Sequence, residues 1–266
     1  YYGNVKKDVF YAKARKYDSC LASALYNEDV PAEVYRELIS SVNAALPALH
    51  DYIAEKKKAL GYSEMHMYDM YMPIVPDKDL KLEYEEAYDL VVKGLSVLGE
   101  EYVGLLEKAR KERWLDVYET DGKKSGAYSV AVYDTHPLVL LNYQKTTHDV
   151  FTIAHEMGHS MHTYFSNKTQ PYAKADYKIF VAEVASTVNE SLLVKYLLKE
   201  EKDPHMRKYL LSYLMEMIRT TLFRQTQFAE FEEYSHASVE NGEPLTRDGM
   251  CEKYLEINKK YYGEAV

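Results

Sequence analysis

The stretch Thr146-Thr-His-Asp-Val-Phe-Thr-Ile-Ala-His-Glu-Met-Gly-His-Ser-Met-His162 decides the reading of this chain. Val150, Ile153, Ala154, Met157 and Met161 recur at helical spacing, which predicts an amphipathic helix over about 146–165 with one face in a core. Thr146 or Thr147 supplies the cap, and Asp149 suits the positive end of the helix. His155 and His159 are one turn apart, so their imidazoles project from the same side and can share one tetrahedral metal ion. Glu156 between them is placed to act as base toward a water at that ion. The pattern implies a zinc hydrolase, with a peptidase as the leading expectation.

The plain alternative is a pair of ordinary helix histidines satisfied by carbonyls or water, and the intervening glutamate argues against it. His162 shares their face but lies about two turns from His155, a strained span for one small ion. It is read as a residue behind the ligands or on the substrate side, with simple packing as the alternative. A third ligand has to come from a second element. Neither Cys20 nor Cys251 has a partner at metal spacing, which leaves carboxylates. Residues 176–198 carry Ile179, Phe180, Val184, Val188, Leu192 and Val194, consistent with a helix that buries this side. Glu183 and Glu190 are seven apart on a polar strip beside Ser186 and Thr187, where a carboxylate is costly unless paired or metal-bound. Glu183 is the expected ligand. Glu190 is expected to hydrogen-bond a ligand histidine and fix its tautomer, and for Glu183 and Glu190 alike the alternative is a solvated surface glutamate.

Two imidazoles and one carboxylate leave a fourth position open, as in catalytic rather than structural zinc sites. Zinc there would activate water and polarise a scissile carbonyl. Glu156 would take the water's proton and pass it to the leaving amine. No residue of the sequence stands out as the second donor that a tetrahedral oxyanion needs.

The motif blocks resemble those of the oligoendopeptidase F branch of the thimet oligopeptidase-like zinc metallopeptidases. They are Asp8-Val-Phe-Tyr-Ala-Lys-Ala-Arg-Lys-Tyr-Asp-Ser19, Gly122-Lys-Lys-Ser-Gly-Ala-Tyr-Ser129, residues 149–162, Phe180-Val-Ala-Glu-Val-Ala-Ser-Thr187 and Leu222-Phe-Arg-Gln-Thr-Gln-Phe-Ala-Glu230. They run in family order across nearly the whole chain. The resemblance implies a zinc metalloendopeptidase that cleaves short, unfolded peptides in a deep channel, with His155, His159 and Glu183 as ligands and Glu156 as base. It also implies a parent about twice as long, whose later segment carries a histidine and tyrosines that contact substrate. The chain is therefore expected to be an excerpt that works with the remaining parts of the parent chain. A zinc-binding but catalytically poor fragment, or a helical scaffold, is the alternative.

With 266 residues, 47% of them hydrophobic, the chain can fill one large domain or two fused layers. Mean hydropathy of -0.45 and the lack of any run of about eighteen apolar residues argue against a membrane protein. A net charge of -9 argues against nucleic-acid binding, which needs clustered Lys and Arg. Two distant cysteines suggest free thiols in a reducing compartment, so the expected location is cytoplasmic. The expected cofactor is one zinc ion per chain and the expected partners are short peptides.

The fold class expected is mainly α, a multi-helix zinc-peptidase catalytic region with a small β-sheet preceding the metal-binding helix. Helices are expected at about 7–26, 31–60 with Pro47 as a kink and Gly61 as a stop, 82–98 and 100–112. The interleaved Met and Tyr of residues 65–73 read as core. Strands are expected at 114–118, 128–133 and 138–143. The edge of that sheet could pair with an extended peptide, and the loop with Gly126 and Tyr128 could close over it, making both candidate substrate-binding residues. Bracing of the metal helix is the alternative role of the sheet. The domain division expected is a helical channel wall over 1–113 and a catalytic region over 114–266. Within the latter fall the small sheet at 114–143, zinc helix at 146–165, third-ligand helix at 176–200 and long helices over 204–266. Arg224 is assigned either to a buried carboxylate near the metal or to an ordinary interhelical salt bridge.

Overall fold

Local punctuation sets the helix boundaries. In the computed structural model, which describes residues 1–76 and 79–266, the chain opens with α1 (Tyr2–Ala14) and α2 (Cys20–Tyr26). The single helix expected over 7–26 is thus two. Lys16 takes a left-handed φ of 63°, and the Ser19 side chain accepts from the Ala22 N–H to start α2. Next come α3 (Ala32–Ala44) and α4 (Leu46–Leu60). Pro47 sits in the first turn of α4, where its missing N–H costs nothing, so it begins a helix and does not kink one. Gly61 ends α4 with φ 73°. A 3₁₀ turn at Met67–Tyr71 follows, and the expected core stretch is split there: Met65 and Met70 are buried, whereas Tyr68 and Tyr71 are exposed.

Helices α5 (Tyr84–Gly94) and α6 (Glu100–Lys111) lead into three short strands, β1 (Leu115–Asp116), β2 (Tyr128–Val130) and β3 (Leu138–Leu140). The order is β1-β3-β2. β1 runs parallel to β3 with Leu115 opposite Val139, and β2 runs antiparallel with Ser129 opposite Val139. The remaining helices are α7 (Thr147–Thr169), the one-turn α8 (Tyr172–Ala175), α9 (Ile179–Glu200), α10 (Pro204–Ile218), α11 (Arg224–Glu240) and α12 (Arg247–Tyr262). A π-helical turn at Arg219–Phe223 joins α10 to α11, so the long helical run expected after Pro204 is present with one widened turn. The fold is mainly α with a small three-stranded sheet, as the periodicity implies.

Two compact units divide the chain at places other than residue 113. One contains Tyr1–Pro76 and Leu211–Val266, the other Asp77–Leu210. The first has a core of Val42, Leu46, Leu49, Ile53, Met65, Met70, Phe223, Ile257, Tyr261 and Tyr262. It also encloses a charged knot. Lys56 Nζ donates to Met70 O at 2.7 Å and to Glu216 Oε1 at 2.9 Å. Arg219 grips Glu216 Oε2 through Nε and Nη2 at 2.9 and 2.7 Å, and Tyr52 donates to Oε1 at 2.5 Å. Arg219, rather than Arg224, is therefore the arginine that neutralises a carboxylate from inside the protein. Arg224 donates to Gln227 at 2.8 Å and covers the Phe228 ring. Both cysteines are free thiols, Cys20 buried and Cys251 exposed.

In the second unit, α7 and α9 form the most extensive helix pairing. Val150, Phe151, Ile153, Ala154, Met157 and Met161 of α7 are buried, as the spacing implies. On α9 the expectation holds for Val194, which is buried, and fails in the first half of the helix: Ile179, Phe180, Val184 and Val188 are exposed, and the buried face is Ala182, Ser186, Asn189, Leu193, Val194 and Leu197. Close approach explains the inversion. A Cβ on Gly158 would lie 2.6 Å from Ser186 Cα and 2.8 Å from Ala185 O, so the backbones nearly touch and only small residues fit between them. Gly94 of α5 packs against the Leu193 side chain, whose Cδ1 would lie 2.7 Å from an added Cβ. Among the described residues, no helix is long and apolar enough to cross a membrane.

Candidate metal centre

The start of α7 is fixed before its histidines are reached. The Thr146 hydroxyl accepts from the Asp149 N–H, while Asp149 Oδ2 accepts from the Thr146 N–H at 2.9 Å, a reciprocal capping box. Asp79 adds a second clamp by accepting from the Thr147 N–H and, at 2.6 Å, from its hydroxyl. A helix anchored at this end presents His155, Glu156 and His159 in a defined register. Asn189, buried on α9, donates to the Ala154 carbonyl at 2.9 Å and accepts from Tyr102 at 3.0 Å, which locks the two helices together beside the site.

Three side chains converge. His155 Nε2 and His159 Nε2 are 3.1 Å apart, and Glu183 Oε2 lies 3.3 Å from the first and 3.4 Å from the second. A tetrahedral zinc with bonds of about 2.0–2.1 Å has ligand-to-ligand edges of about 3.3–3.4 Å. The triangle of atoms therefore has the size of one face of such a coordination shell, and these residues can hold a metal ion. Glu190 Oε1 approaches His155 Nδ1 at 3.2 Å, behind the ring. Burial alone would lower the His155 pKa, but the hydrogen bond and charge of Glu190, with Glu156 and Glu183, outweigh it and raise it. His159 moves the other way because burial dominates there.

Glu156 is 6% exposed and its Oε2 has no hydrogen-bond partner. Burial raises its pKa, with the charges of Glu183 and Glu190 acting in the same direction and His155 opposing. The backbone amide of Ser129 on β2 also interacts with this carboxylate and lowers its pKa. The orphaned oxygen is aimed at no protein group, which is the disposition of a residue awaiting an external proton donor. Glu183 differs: its side chain is 63% exposed, so the desolvation cost used to select it from sequence does not apply, and its place rests on geometry alone.

A cleft of about 570 Å³ opens beside these residues, with His155, Glu156 and Glu190 on one side and Lys123, Gly126 and Asn142 on the other. The facing loop is built, not slack. Lys123 Nζ donates to the carbonyls of Asp116 and Tyr118 at 3.2 and 2.7 Å, and the Asn142 amide donates to those of Lys124 and Gly126, both at 2.9 Å. Gly126 takes φ 96°, a backbone angle that strains other residues. Tyr128 is half exposed on β2 and does not line the cleft. His162 does not join the three-residue cluster; it stacks on Tyr177 at 3.7 Å and lines a separate apolar pocket of about 490 Å³.

Lys123, Asn142, Ser129 and Ser160 were not identified from sequence. Their partners lie five to thirty-one residues away, so the chain carries no local spacing that reveals them. Ser160 alone left a trace, standing four residues after Glu156 on the same face of α7.

The sequence pattern of peptidase family M3 matches residues 2–266. The chain belongs to peptidase family M3. This is a metallopeptidase family, in keeping with the cluster of two histidines and a glutamate. Oligopeptidase PepF of Bacillus subtilis is 48% identical over 99% of this chain, which corresponds to 39% of that protein. A crystal structure from Chlamydophila abortus is 43% identical with a TM-score of 0.90, covering 99% of this chain and 44% of the other. That of oligoendopeptidase F from Enterococcus faecium is 35% identical with a TM-score of 0.70, covering 98% and 39%. The M3 chain described here thus spans about two fifths of the length of the relatives it matches.

Proposed function

We propose that this M3 chain carries the centre of a zinc-dependent endopeptidase that hydrolyses short, unfolded peptides, with one ion per chain held by His155, His159 and Glu183. The observation that supports it most is the triangle of 3.1, 3.3 and 3.4 Å among their Nε2 and Oε2 atoms, which matches the edges of a tetrahedral zinc shell. A zinc ion there supplies Lewis acidity, polarising the scissile carbonyl and lowering the pKa of water toward about 7. Glu156 accepts the proton of the attacking water on its carboxylate as the new C–O bond forms. It then releases that proton to the leaving amine as the C–N bond breaks, so the carboxylate is regenerated. Its buried setting favours this shuttle, since a carboxylate of raised basicity is a better proton acceptor. Glu190 accepts from His155 Nδ1–H, leaving Nε2 free for the ion. The loop held by Lys123 and Asn142 forms the opposite wall, with Gly126 letting a peptide backbone approach closely. Short peptides are the proposed partners and cytoplasm the proposed location, with no role in binding nucleic acid or membrane.

Metal analysis after dialysis tests the reading. One zinc per chain is expected in the parent protein and in Glu156→Gln, and none in His155→Ala or Glu183→Ala. Cleavage of a quenched fluorescent peptide should fall about 10²–10⁴-fold in Glu156→Gln. An unchanged rate would remove Glu156 as the base, and zinc retained by His155→Ala would remove the ligand set. Stoichiometric zinc with no cleavage by the parent chain would favour a metal-binding core of poor turnover.

A further inference from the structure

The loop between β1 and β2 faces the metal cluster across the cleft, and two side chains hold it. Val139 and Leu141, on β3 and just beyond it, donate their backbone N–H groups to the carbonyls of Trp114 and Asp116, both at 2.8 Å. Alternation along the strand therefore turns the backbone of Leu138, Leu140 and Asn142 the other way, toward β2. Tyr128 stands opposite Leu140, and two residues further along each chain the same register brings Gly126 opposite Asn142. The loop leaves the sheet there, with Gly126 at φ 96°, and the Asn142 side chain supplies the donor. Its Nδ2 bonds the carbonyls of both Lys124 and Gly126 at 2.9 Å, one hydrogen to each. On the other side Lys123 Nζ meets the carbonyls of Asp116 and Tyr118 at 3.2 and 2.7 Å and Asp116 Oδ1 at 3.2 Å, with its side chain 5% exposed. Three oxygens thus answer the three hydrogens of the ammonium, which is directed at the end of β1 and not at the cleft. Residues 123–126 are tied on both sides, and Ser125, Gly126 and Ala127 line the cleft that His155 and Glu156 also line.

We infer that Asn142, with Lys123 as a second tie, is a positioning residue for peptide binding. Its side chain continues the β2–β3 ladder and fixes residues 124–126 as a wall that is set before a peptide arrives and does not close over it. The inference rests on the reading of this cleft as the peptide site of the metal centre. Neither residue is assigned a contact with the ion or a part in proton transfer. A loop already ordered loses little freedom when a peptide docks against it, whereas one released from Asn142 has to be ordered at that moment. Loss of the tie therefore weakens peptide binding and leaves the chemical step, set on α7 and α9, nearly untouched.

The test compares Asn142→Asp, Asn142→Ala, Lys123→Met and Lys123→Arg in the zinc-loaded protein. Asn142→Asp keeps the shape of the side chain but turns a carboxylate toward two carbonyls, so hydrogen bonding is separated from packing. NMR relaxation of the unsubstituted chain without peptide should give order parameters of about 0.85 for the amides of Ser125, Gly126 and Ala127, falling below about 0.6 in Asn142→Asp. Anisotropy of a labelled peptide, measured in the Glu156→Gln background so that nothing is cleaved, should report binding about tenfold weaker in Asn142→Asp, Asn142→Ala and Lys123→Met. Lys123→Arg, which keeps donors and charge, should recover most of the affinity. On a quenched peptide the same three variants should raise KM by about that factor, with kcat within about threefold and zinc content unchanged. A loop already mobile in the unsubstituted chain overturns the inference, as does loss of zinc, a loss confined to kcat, or peptide affinity that Asn142→Asp leaves untouched. Should the unsubstituted chain bind no peptide at all, the reading of the cleft falls and the inference with it.

Discussion

The two compact units each contain a knot of ionisable side chains, and the two knots are built on opposite plans. Around Glu216 every charge is answered from within: Lys56, Arg219 and Tyr52 all donate to one carboxylate, and Lys56 and Arg219 are 2% and 4% exposed. Around His155 three carboxylates, those of Glu156, Glu183 and Glu190, gather near two imidazoles, and a buried oxygen is left without a partner. The first arrangement is complete as folded. The second is short of positive charge, and that deficit is what a divalent cation and a proton in transit would fill. Within these two knots, the structural and the functional arrangement differ in whether a buried group lacks a partner.

Breaking the complete knot should have the largest effect. Glu216→Ala strands two buried cations, and a loss of about 3–5 kcal/mol in urea unfolding is expected. Glu183→Ala in metal-free protein should shift the same transition by less than about 0.5 kcal/mol, since its side chain is largely exposed. Equal effects at the two sites would abolish the distinction.

Filling the incomplete knot comes next. Free zinc at a hundred times its dissociation constant should stabilise the fold by about 2.7 kcal/mol, reversed by a chelator and absent in His155→Ala. A melting temperature indifferent to zinc would show that the deficit of charge is not a metal site.

Gly158→Ala tests what brings the incomplete knot together. The added methyl meets Ser186 and Ala185 backbone atoms that cannot turn aside, so about 1–3 kcal/mol of stability should be lost. Zinc affinity should fall with it, because Glu183 rides on the displaced helix. A variant of parental stability with unweakened zinc binding would mean that α7 and α9 can part without disturbing the ligands.

The smallest expected effect is the pH dependence that the complete knot contributes. Burial would raise the Glu216 pKa, but hydrogen bonds from Arg219, Tyr52 and Lys56 outweigh it and hold it below the ordinary range. Its stabilisation is therefore fully present above the unfolded value of about 4.3 and is lost as pH falls through the lower folded value. Urea midpoints of the parent and Glu216→Gln should converge below pH 4, and parallel curves would contradict the assignment.

The sequence revealed what depends on local spacing. Residues 155–159 place two imidazoles and a carboxylate by helical period alone, and the cap at Thr146 is written three residues from Asp149. The α-rich class and the small sheet ahead of α7 follow from the same periodicities. What eluded it depends on how closely elements approach. The apolar residues in the first half of α9 point outward because Gly158 brings a backbone so near that small residues such as Ala182 and Ser186 take the inner face there. Hydrophobic period identified the helix but assigned the wrong side of its first half to the core. Residues that act across the chain, such as Lys123 on the carbonyls of Asp116 and Tyr118, have no period at all.

The outward row of Ile179, Phe180, Val184 and Val188 on α9 has a practical bearing on handling the protein. Adjacent oily side chains facing water attract one another more strongly on warming and in sulfate, so the solubility limit should drop under both conditions. Crystallisation from ammonium sulfate and storage in the cold pull in opposite directions on this one strip of surface.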